Sequence, residues 1–176
     1  MTGQAIGCSA AAGLEAGVEV VSGVPTIFTA CSGFLLAVLW MDLIFDSQVV
    51  PHRNSPEPLP EPVLASIAAY YHRATTTSRP MSRLIALVMV ILLGALGFHA
   101  VRGHDPGWLL ATSAGLAGVP IALALTRTVP NAVRLGNRVG GPGEQTRLAR
   151  AILVDHVACF GCMVAFLALW VAHNTS

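Results

Sequence analysis

Residues 24–45 read VPTIFTACSGFLLAVLWMDLIF, and residues 151–171 read AILVDHVACFGCMVAFLALWV. Each run is apolar and about as long as the roughly 20 residues that an α-helix needs to cross the hydrocarbon core of a bilayer. Each also carries ionisable residues near one end, Asp42 in the first run and Asp155 and His156 in the last. Because charge inside a membrane is costly, these residues predict a functional site in a membrane protein.

The whole chain has the composition of a membrane protein. Its 176 residues are 54% hydrophobic and 11% charged, with a mean hydropathy of +0.66, whereas soluble domains carry roughly 25% charged residues. The sequence predicts an all-α fold, a four-helix transmembrane bundle in a single domain over residues 24–173, after a weakly ordered leader over residues 1–23. The predicted spans are residues 25–45, 84–101, 108–126 and 151–171.

The arginines predict the orientation of the bundle. The chain has ten basic residues, all arginine, and nine of them lie in the first and third connections between spans. The positive-inside rule then makes those connections cytoplasmic and leaves both termini outside a multi-pass protein of the cell membrane. The formal net charge is only +1, and no basic patch is present, which argues against nucleic acid as a partner.

The ionisable residues of the first and last spans are predicted to meet. Asp42 lies about 10 Å beyond the middle of the first span, and Asp155 lies about 9 Å before the middle of the last, both toward the arginine-rich end. His156 shares that depth, and Asp46 lies one turn nearer the water. We therefore expect one polar cluster near the arginine-rich end of the bundle.

The residue types in this cluster suit proton chemistry. Asp42 and Asp46 are spaced i,i+4 and share a helix face, as a proton relay, a cation site or a general acid/base requires. Asp155 and His156 diverge by about 100° around their helix, and we favour His156 as the residue facing the bundle, where it serves as acid/base or as a metal ligand. The alternatives are an interfacial Asp46, an Asp42–arginine pair, and a structural Asp155–arginine bridge beside a hydrogen-bonded His156.

The first connection predicts a short amphipathic helix. Pro62 suits a helix start, and apolar residues recur on one face up to Tyr71. This interfacial helix between spans 1 and 2 would bring Tyr70 and Tyr71 to the rim of the site, and the alternative is a plain interfacial anchor. The predicted substrate rim consists of Trp40, Tyr71, Asn131 and Arg134.

Three further patterns have mainly structural interpretations. Cys159 and Cys162 follow His156 on one flank of the last span, and we interpret them as small buried hydrophobic residues rather than as a redox pair or metal site. His99, His104 and Asp105 are interpreted as a polar loop rather than a metal site. Glycines in the second and third spans are expected to permit close helix approach: Gly94, Gly97, Gly115 and Gly118.

The layout resembles the DUF1772 group of small four-span membrane proteins, which includes anthrone-oxygenase-like proteins. The resemblance rests on the first-span segment at residues 32–37, on Pro130-Asn131 before Arg134-Leu135, and on the late His156. The family tends to carry a Trp shortly before that His, and this chain has none there. The resemblance implies membrane-embedded oxidation of a phenolic or quinone-like substrate.

Three functional hypotheses follow. The leading specific one is a membrane oxidoreductase or oxygenase-like protein that acts on a lipophilic aromatic or quinone, with His156, Asp42, Asp155 and Asp46 as its catalytic residues, and it predicts a substrate-sized cavity. The second is a non-enzymatic subunit or small proton or cation carrier, which predicts a narrow polar file. The third is a structural partner of a membrane complex, in which these residues pair with arginines and leave no vacant volume. The sequence identifies no cofactor, names His156 as the candidate ligand of any metal, and leaves open whether the chain forms a homo-oligomer.

Overall fold

The computed structural model describes residues 5–103 and 105–175, with side chains described from Thr26 onward. Within these residues the chain forms α1 (Ala5–Asp46), α2 (Glu61–His72), α3 (Arg79–Arg102), α4 (Gly107–Leu123), α5 (Val129–Gly136) and α6 (Pro142–Thr175). A 3₁₀ turn follows α1, and π-helical turns follow α2 and α4: Ser47–His52, Arg73–Thr77 and Ala124–Thr128.

Four helical segments are long and apolar enough to cross a membrane: Thr26–His52, Arg79–Arg102, Gly107–Gly136 and Pro142–Thr175. They confirm the predicted all-α four-helix bundle, and the chain is a multi-pass membrane protein. The weakly ordered leader predicted over residues 1–23 falls on residues whose placement or side chains lie outside the described part of the chain.

The spans pack as a ring in which α6 contacts α1 and α4, and α3 contacts the same two helices from the other side. Large apolar residues such as Val90 and Leu125 are exposed on the outer surface, as expected for helices that face lipid. The interior between the spans, which we call the span core, is filled by apolar side chains: Phe28, Cys31, Leu35, Leu92, Leu96, Leu109, Ala117, Met163, Phe166 and Trp170.

A second core lies at the arginine-rich end, where α2 and α5 pack against the start of α6. Its buried residues are Val49, Leu59, Leu64, Ile67, Tyr71, Ala132, Leu135, Leu148, Ala149 and Ile152. The predicted helix between spans 1 and 2 is therefore present as α2. The plain-anchor alternative is wrong for Tyr71, because this side chain is buried against protein rather than placed at a lipid surface.

Close helix approach occurs at a glycine other than the ones predicted. A Cβ added at Gly136 would lie 2.7 Å from the backbone nitrogen of His72, so this glycine lets α5 cross α2 closely. At the four predicted positions, Gly94, Gly97, Gly115 and Gly118, a Cβ would meet no described atom within 4 Å. The expectation that these four bring spans 2 and 3 together was wrong.

Candidate functional site

Asp46 is the centre of a buried cluster built by three helices. It lies at the end of α1, and its side chain is almost fully buried. Tyr71 from α2 donates its phenol proton to Oδ1 of Asp46 at 2.7 Å, and Nδ1 of His156 from α6 lies 2.7 Å from Oδ2. Both carboxylate oxygens are therefore satisfied without an arginine, as a buried charge requires.

Asp42 lies one turn earlier in α1 and faces the same cluster. Tyr70, beside Tyr71 on α2, donates its phenol proton to Oδ1 of Asp42 at 2.6 Å. The other oxygen, Oδ2, lies 3.9 Å from Nε2 of His156, a separation longer than a direct hydrogen bond. The two carboxylates thus bind adjacent tyrosines, and His156 lies between them.

The contact with Asp46 determines how His156 presents its second nitrogen. When the Asp46 carboxylate is ionised it only accepts hydrogen bonds, and Nδ1 of His156 then carries the proton and donates it to Asp46. In the neutral imidazole, Nε2 is then an unprotonated acceptor. This nitrogen faces Asp42 across the 3.9 Å gap, and the residue lines both cavities described below.

The two tyrosines are neutral hydrogen-bond donors. Burial raises the pKa of the Tyr70 phenol above its ordinary range, and the hydrogen bond to Asp42 raises it further. The pKa of the Tyr71 phenol is raised in the same way, first by burial and then by the nearby Asp46 carboxylate. Each phenol therefore keeps its proton well above neutral pH and holds its carboxylate in place.

An apolar cavity of about 180 Å³ lies between the spans, with the cluster at one end. Its polar lining consists of Asp42, His156, Thr128 and Cys159. The remaining lining residues are apolar: Leu35, Val38, Leu39, Ile85, Met89, Leu92, Ala117, Pro120, Ile121, Ala124, Val129 and Met163. An apolar cavity with a few convergent polar groups is the usual form of a small-molecule site. We call it the inner cavity.

A second, more open cavity of about 600 Å³ lies on the other side of the same residues. We call it the vestibule, and it is bounded by α2, the π-helical turn Arg73–Thr77, the start of α3 and α5. Six residues line both cavities: Val38, Asp42, Ile85, Thr128, Val129 and His156. Asp42 and His156 therefore lie at the boundary between the vestibule and the inner cavity.

Asp155 faces away from this boundary although it is adjacent to His156. Its buried carboxylate pairs with Arg127 at 3.3 Å and accepts a longer hydrogen bond of 3.4 Å from Thr128. The arrangement matches the structural Asp155–arginine bridge that the sequence left as an alternative. Asp155 does not line either cavity, so it contacts the cluster only through its neighbours.

The other predicted rim residues are placed away from the cavities. Trp40 is 58% exposed and packs near Phe160, with ring centroids 6.1 Å apart. Arg134 pairs with Glu144. Asn131 is half-buried and, like Trp40 and Arg134, lines neither cavity. Of the four predicted rim residues only Tyr71 lines the vestibule.

The two cysteines of the last span lie apart from the Asp46 cluster's hydrogen bonds. Cys159 is buried, and its thiol lies 3.9 Å from the carbonyl oxygen of Pro120, while Cys162 is half-buried. Within the described residues, no group of three or more His, Cys, Asp or Glu side chains is arranged to hold a metal ion.

A second carboxylate–imidazole cluster lies at the opposite end of the bundle. Asp105, in the loop between α3 and α4, contacts Nδ1 of His99 and lies 3.3 Å from Nε2 of His173 near the end of α6. The His99 ring packs against Phe28 and Trp170, with centroids 5.4 and 5.6 Å away. Sequence reasoning grouped His99 with Asp105 but missed His173, and His104 lies outside the described residues.

Sequence reasoning also missed the contribution of Thr128, which lines both cavities. The sequence signal was the polar Thr128 at the end of an apolar span, and the structure adds that Thr128 ends a π-helical turn, a feature that often accompanies functional sites.

Comparison of the chain with protein-family profiles, curated proteins and solved structures finds no match. The resemblance to anthrone-oxygenase-like proteins therefore stays a prediction.

Proposed function

We propose that the protein binds a small lipophilic aromatic molecule of the phenol class and oxidises it within the membrane, with Nε2 of His156 as the proton acceptor. The observation that carries this proposal is the position of His156. One of its nitrogens is held by Asp46 at 2.7 Å, and the residue lines an apolar cavity. A carboxylate-oriented imidazole with a free second nitrogen is a common form of general base.

The inner cavity has the size and lining for one ring of a small fused aromatic molecule, and the adjoining vestibule has room for the rest of that molecule. Its volume is about 180 Å³, and an engineered apolar cavity of about 150 Å³ is known to bind benzene. The ring would lie among apolar residues such as Met89 and Leu92, and a hydroxyl or carbonyl on it would face His156 and Asp42. The cavity favours the enzyme hypothesis over a narrow polar file.

Dioxygen is the oxidant in the reaction class that the family resemblance implies. A phenol reacts with one O₂ to give a quinone and one H₂O: the ring loses the hydroxyl hydrogen and the hydrogen of the attacked carbon and gains one oxygen atom, so atoms and electrons balance without a further reductant. His156 would take the hydroxyl proton and leave an electron-rich phenolate, which O₂ attacks at the ring carbon opposite the oxygen. Asp46 would stabilise the resulting imidazolium, and Tyr71 would hold Asp46.

A second candidate function, a proton or cation carrier, is favoured by the charge of the cluster. With both carboxylates ionised, Asp42 and Asp46 outnumber the single imidazole of His156, so the cluster is net negative even when His156 is protonated. No arginine contacts either of the two carboxylates among the described residues. In either function, the positive-inside rule puts the vestibule at the cytoplasmic side of the cell membrane.

The test compares His156→Gln with His99→Gln in lipid nanodiscs. Naphthol binding is measured by calorimetry, and anthrone-dependent oxygen uptake is measured with an oxygen electrode. We expect naphthol to bind the wild type and oxygen uptake to fall about 10²–10⁴-fold in His156→Gln, as for loss of a general base, while His99→Gln keeps both. Absence of naphthol binding, or equal oxygen uptake in wild type and His156→Gln, would overturn the proposal.

The carrier function is tested by the same variants in liposomes that contain a pH-sensitive dye. If the protein is a proton carrier, the wild type and His99→Gln dissipate an imposed pH gradient, and His156→Gln does not. Proton flux without naphthol binding would favour the carrier over the oxidising enzyme.

A further inference from the structure

The vestibule has a polar wall that the proposed reaction does not use. Arg73, Thr75, Ser78 and Ser82 line it, on the π-helical turn and the first turns of α3. These residues lie at the mouth, whereas Asp42 and His156 lie at the boundary with the inner cavity. A ligand that reaches His156 through the vestibule passes this wall.

Among the residues that the structure describes, Arg73 is the only arginine that lines the vestibule or the inner cavity. Most arginines of the third connection already have partners, with Arg127 on Asp155, Arg134 on Glu144 and Arg138 on Glu61. Arg73 is exposed and makes no ion pair with a carboxylate of the described residues. It is therefore a guanidinium available for an anionic group that enters the vestibule.

Asp42 lines both cavities, whereas Arg73 lines the vestibule and not the inner cavity, so the carboxylate of Asp42 repels an anion at the boundary between the two. A ligand with one charged end and one neutral end is thereby oriented in a single way. Its anionic group contacts Arg73, and its neutral ring points past Asp42 into the apolar cavity. Guanidinium groups bind carboxylates through paired, charge-assisted hydrogen bonds, which fix orientation as well as adding affinity.

We propose that the ligand of this site is an aromatic acid: a hydroxylated ring that carries a carboxylate, with the carboxylate on Arg73 and the ring hydroxyl at His156. This inference rests on the proposed function and narrows its substrate class. The hydroxyl of Ser78 lines the same wall and is suited to donate a hydrogen bond to the carboxylate, whereas the Thr75 hydroxyl already donates to the carbonyl oxygen of Tyr71 at 2.8 Å. An anionic lipid headgroup has the same chemistry, so the test must separate the two sources.

The experiment compares naphthol with hydroxynaphthoate, two probes that differ by one carboxylate. Their dissociation constants are measured by calorimetry on the full chain in nanodiscs of zwitterionic lipid, for wild type, Arg73→Gln and Arg83→Gln. Glutamine retains much of the side-chain length and removes the charge. Arg83 is the matched control. It lies near the start of α3, shortly after the turn that carries Arg73, but it lines neither cavity.

We expect hydroxynaphthoate to bind the wild type roughly tenfold more tightly than naphthol, as one hydrogen-bonded charge pair provides. Arg73→Gln should abolish that preference and leave naphthol binding unchanged, and Arg83→Gln should keep both. A wild type that binds naphthol without preferring hydroxynaphthoate, or a preference that survives in Arg73→Gln, would overturn this inference and leave the proposed function intact. Absence of naphthol binding would overturn the proposed function itself.

A final arm repeats the wild-type titration after addition of phosphatidylglycerol to the nanodiscs. If Arg73 is a ligand contact, the preference for hydroxynaphthoate persists. If the added lipid lowers hydroxynaphthoate affinity to the Arg73→Gln value, Arg73 holds a lipid headgroup in the membrane, and the inference is overturned.

Discussion

The two ends of the bundle carry the same pair of chemical groups in different surroundings. At the arginine-rich end, Asp46 binds one nitrogen of His156, and two cavities adjoin that histidine. At the opposite end, Asp105 contacts His99 and His173, and the His99 ring is packed between aromatic side chains. Neither of the two cavities reaches Asp105.

In this fold, a reactive cluster differs from a structural one in whether an imidazole nitrogen still faces a cavity. Asp105 contacts His99 and His173 and so joins α3, the loop and α6. Asp46 contacts Tyr71 and His156 and also joins helices, but there the second nitrogen of His156 still faces a cavity. Accessible volume beside the imidazole, rather than the residue types alone, makes His156 the candidate base.

The largest expected effect is that of Asp46→Ala. It leaves His156 and Tyr71 buried without their shared acceptor, and we expect a loss of about 3–5 kcal/mol in the free energy of unfolding, as for breaking a buried pair. Asp105→Ala should cost less, about 1–3 kcal/mol, because His173 is 35% exposed and water can replace the lost partner. Unfolding titrations in mixed micelles measure both. Equal losses would mean that the two clusters are energetically equivalent.

Gly136→Ala tests whether the close crossing of α2 and α5 holds the tyrosines in place. The added methyl group would lie 2.7 Å from the backbone nitrogen of His72, and we expect destabilisation of about 1–3 kcal/mol from overpacking. The matched control is Gly97→Ala, where a Cβ meets open space and a better helix former should stabilise α3 by up to about 1 kcal/mol. The contacts of Asp105 with His99 and His173 at the other end of the bundle should be unchanged in both variants. Destabilisation of similar size by Gly97→Ala would contradict the assigned packing.

Arg127→Gln tests the bridge that orients Asp155 beside the cluster. Its removal leaves the buried Asp155 carboxylate with only the longer contact from Thr128, and we expect a cost of about 1–3 kcal/mol. Arg134→Gln breaks the exposed pair with Glu144 and should cost at most about 1 kcal/mol. The same unfolding titration compares them, and a reversed order would show that Asp155 does not depend on Arg127.

The smallest expected effect is the ionisation of the two tyrosines, which does not change stability near neutral pH. It reports on one cluster alone. The chain contains two tyrosines, and both belong to the arginine-rich end. Because burial and the carboxylates raise the pKa of Tyr70 and Tyr71, tyrosinate absorbance should appear only above the ordinary tyrosine pKa of about 10.

The sign of the accompanying stability change follows from that direction. Since the folded pKa exceeds the unfolded one, the neutral phenols stabilise the fold fully below about pH 10, and this contribution is lost as the pH rises further. Asp42→Asn should shift the titration of Tyr70 toward lower pH, whereas Asp105→Asn should leave the curve unchanged. A wild-type curve with an ordinary midpoint would contradict the buried hydrogen bonds.

Periodicity and hydropathy were sufficient to predict the spans, because a membrane requires long apolar helices whatever their packing. The predicted depths of Asp42, Asp46 and His156 along the bilayer normal were similar, because the helical rise fixes how far each residue lies from the middle of its span. Rotation around each helix was harder to predict. His156 was correctly favoured as the inward residue, but Trp40 faces away from the cavities, and helical rise alone could not show this.

Side-chain partners over long sequence distances were the least predictable part. The sequence placed Tyr70 and Tyr71 at a rim, and it did not show that each binds a separate carboxylate. Arg134 was predicted to lie at the substrate rim, yet it pairs with Glu144. The pair of Arg138 with Glu61 joins the chain after α5 to the start of α2, and the close crossing of these two helices at Gly136 was not visible in the sequence.

The residues of the Asp46 cluster are synthesised at different times, because they lie far apart in the sequence. Tyr71 follows Asp46 by 25 residues and His156 follows it by 110 residues. At the usual rate of translation, the first span therefore waits roughly 5–20 s for its histidine. During that time Asp46 depends on Tyr71, so α2 acts as an early cover for a charge that entered the bilayer first. A chain that stops before the last span would therefore leave the buried Asp46 carboxylate with its Tyr71 hydrogen bond and without its imidazole.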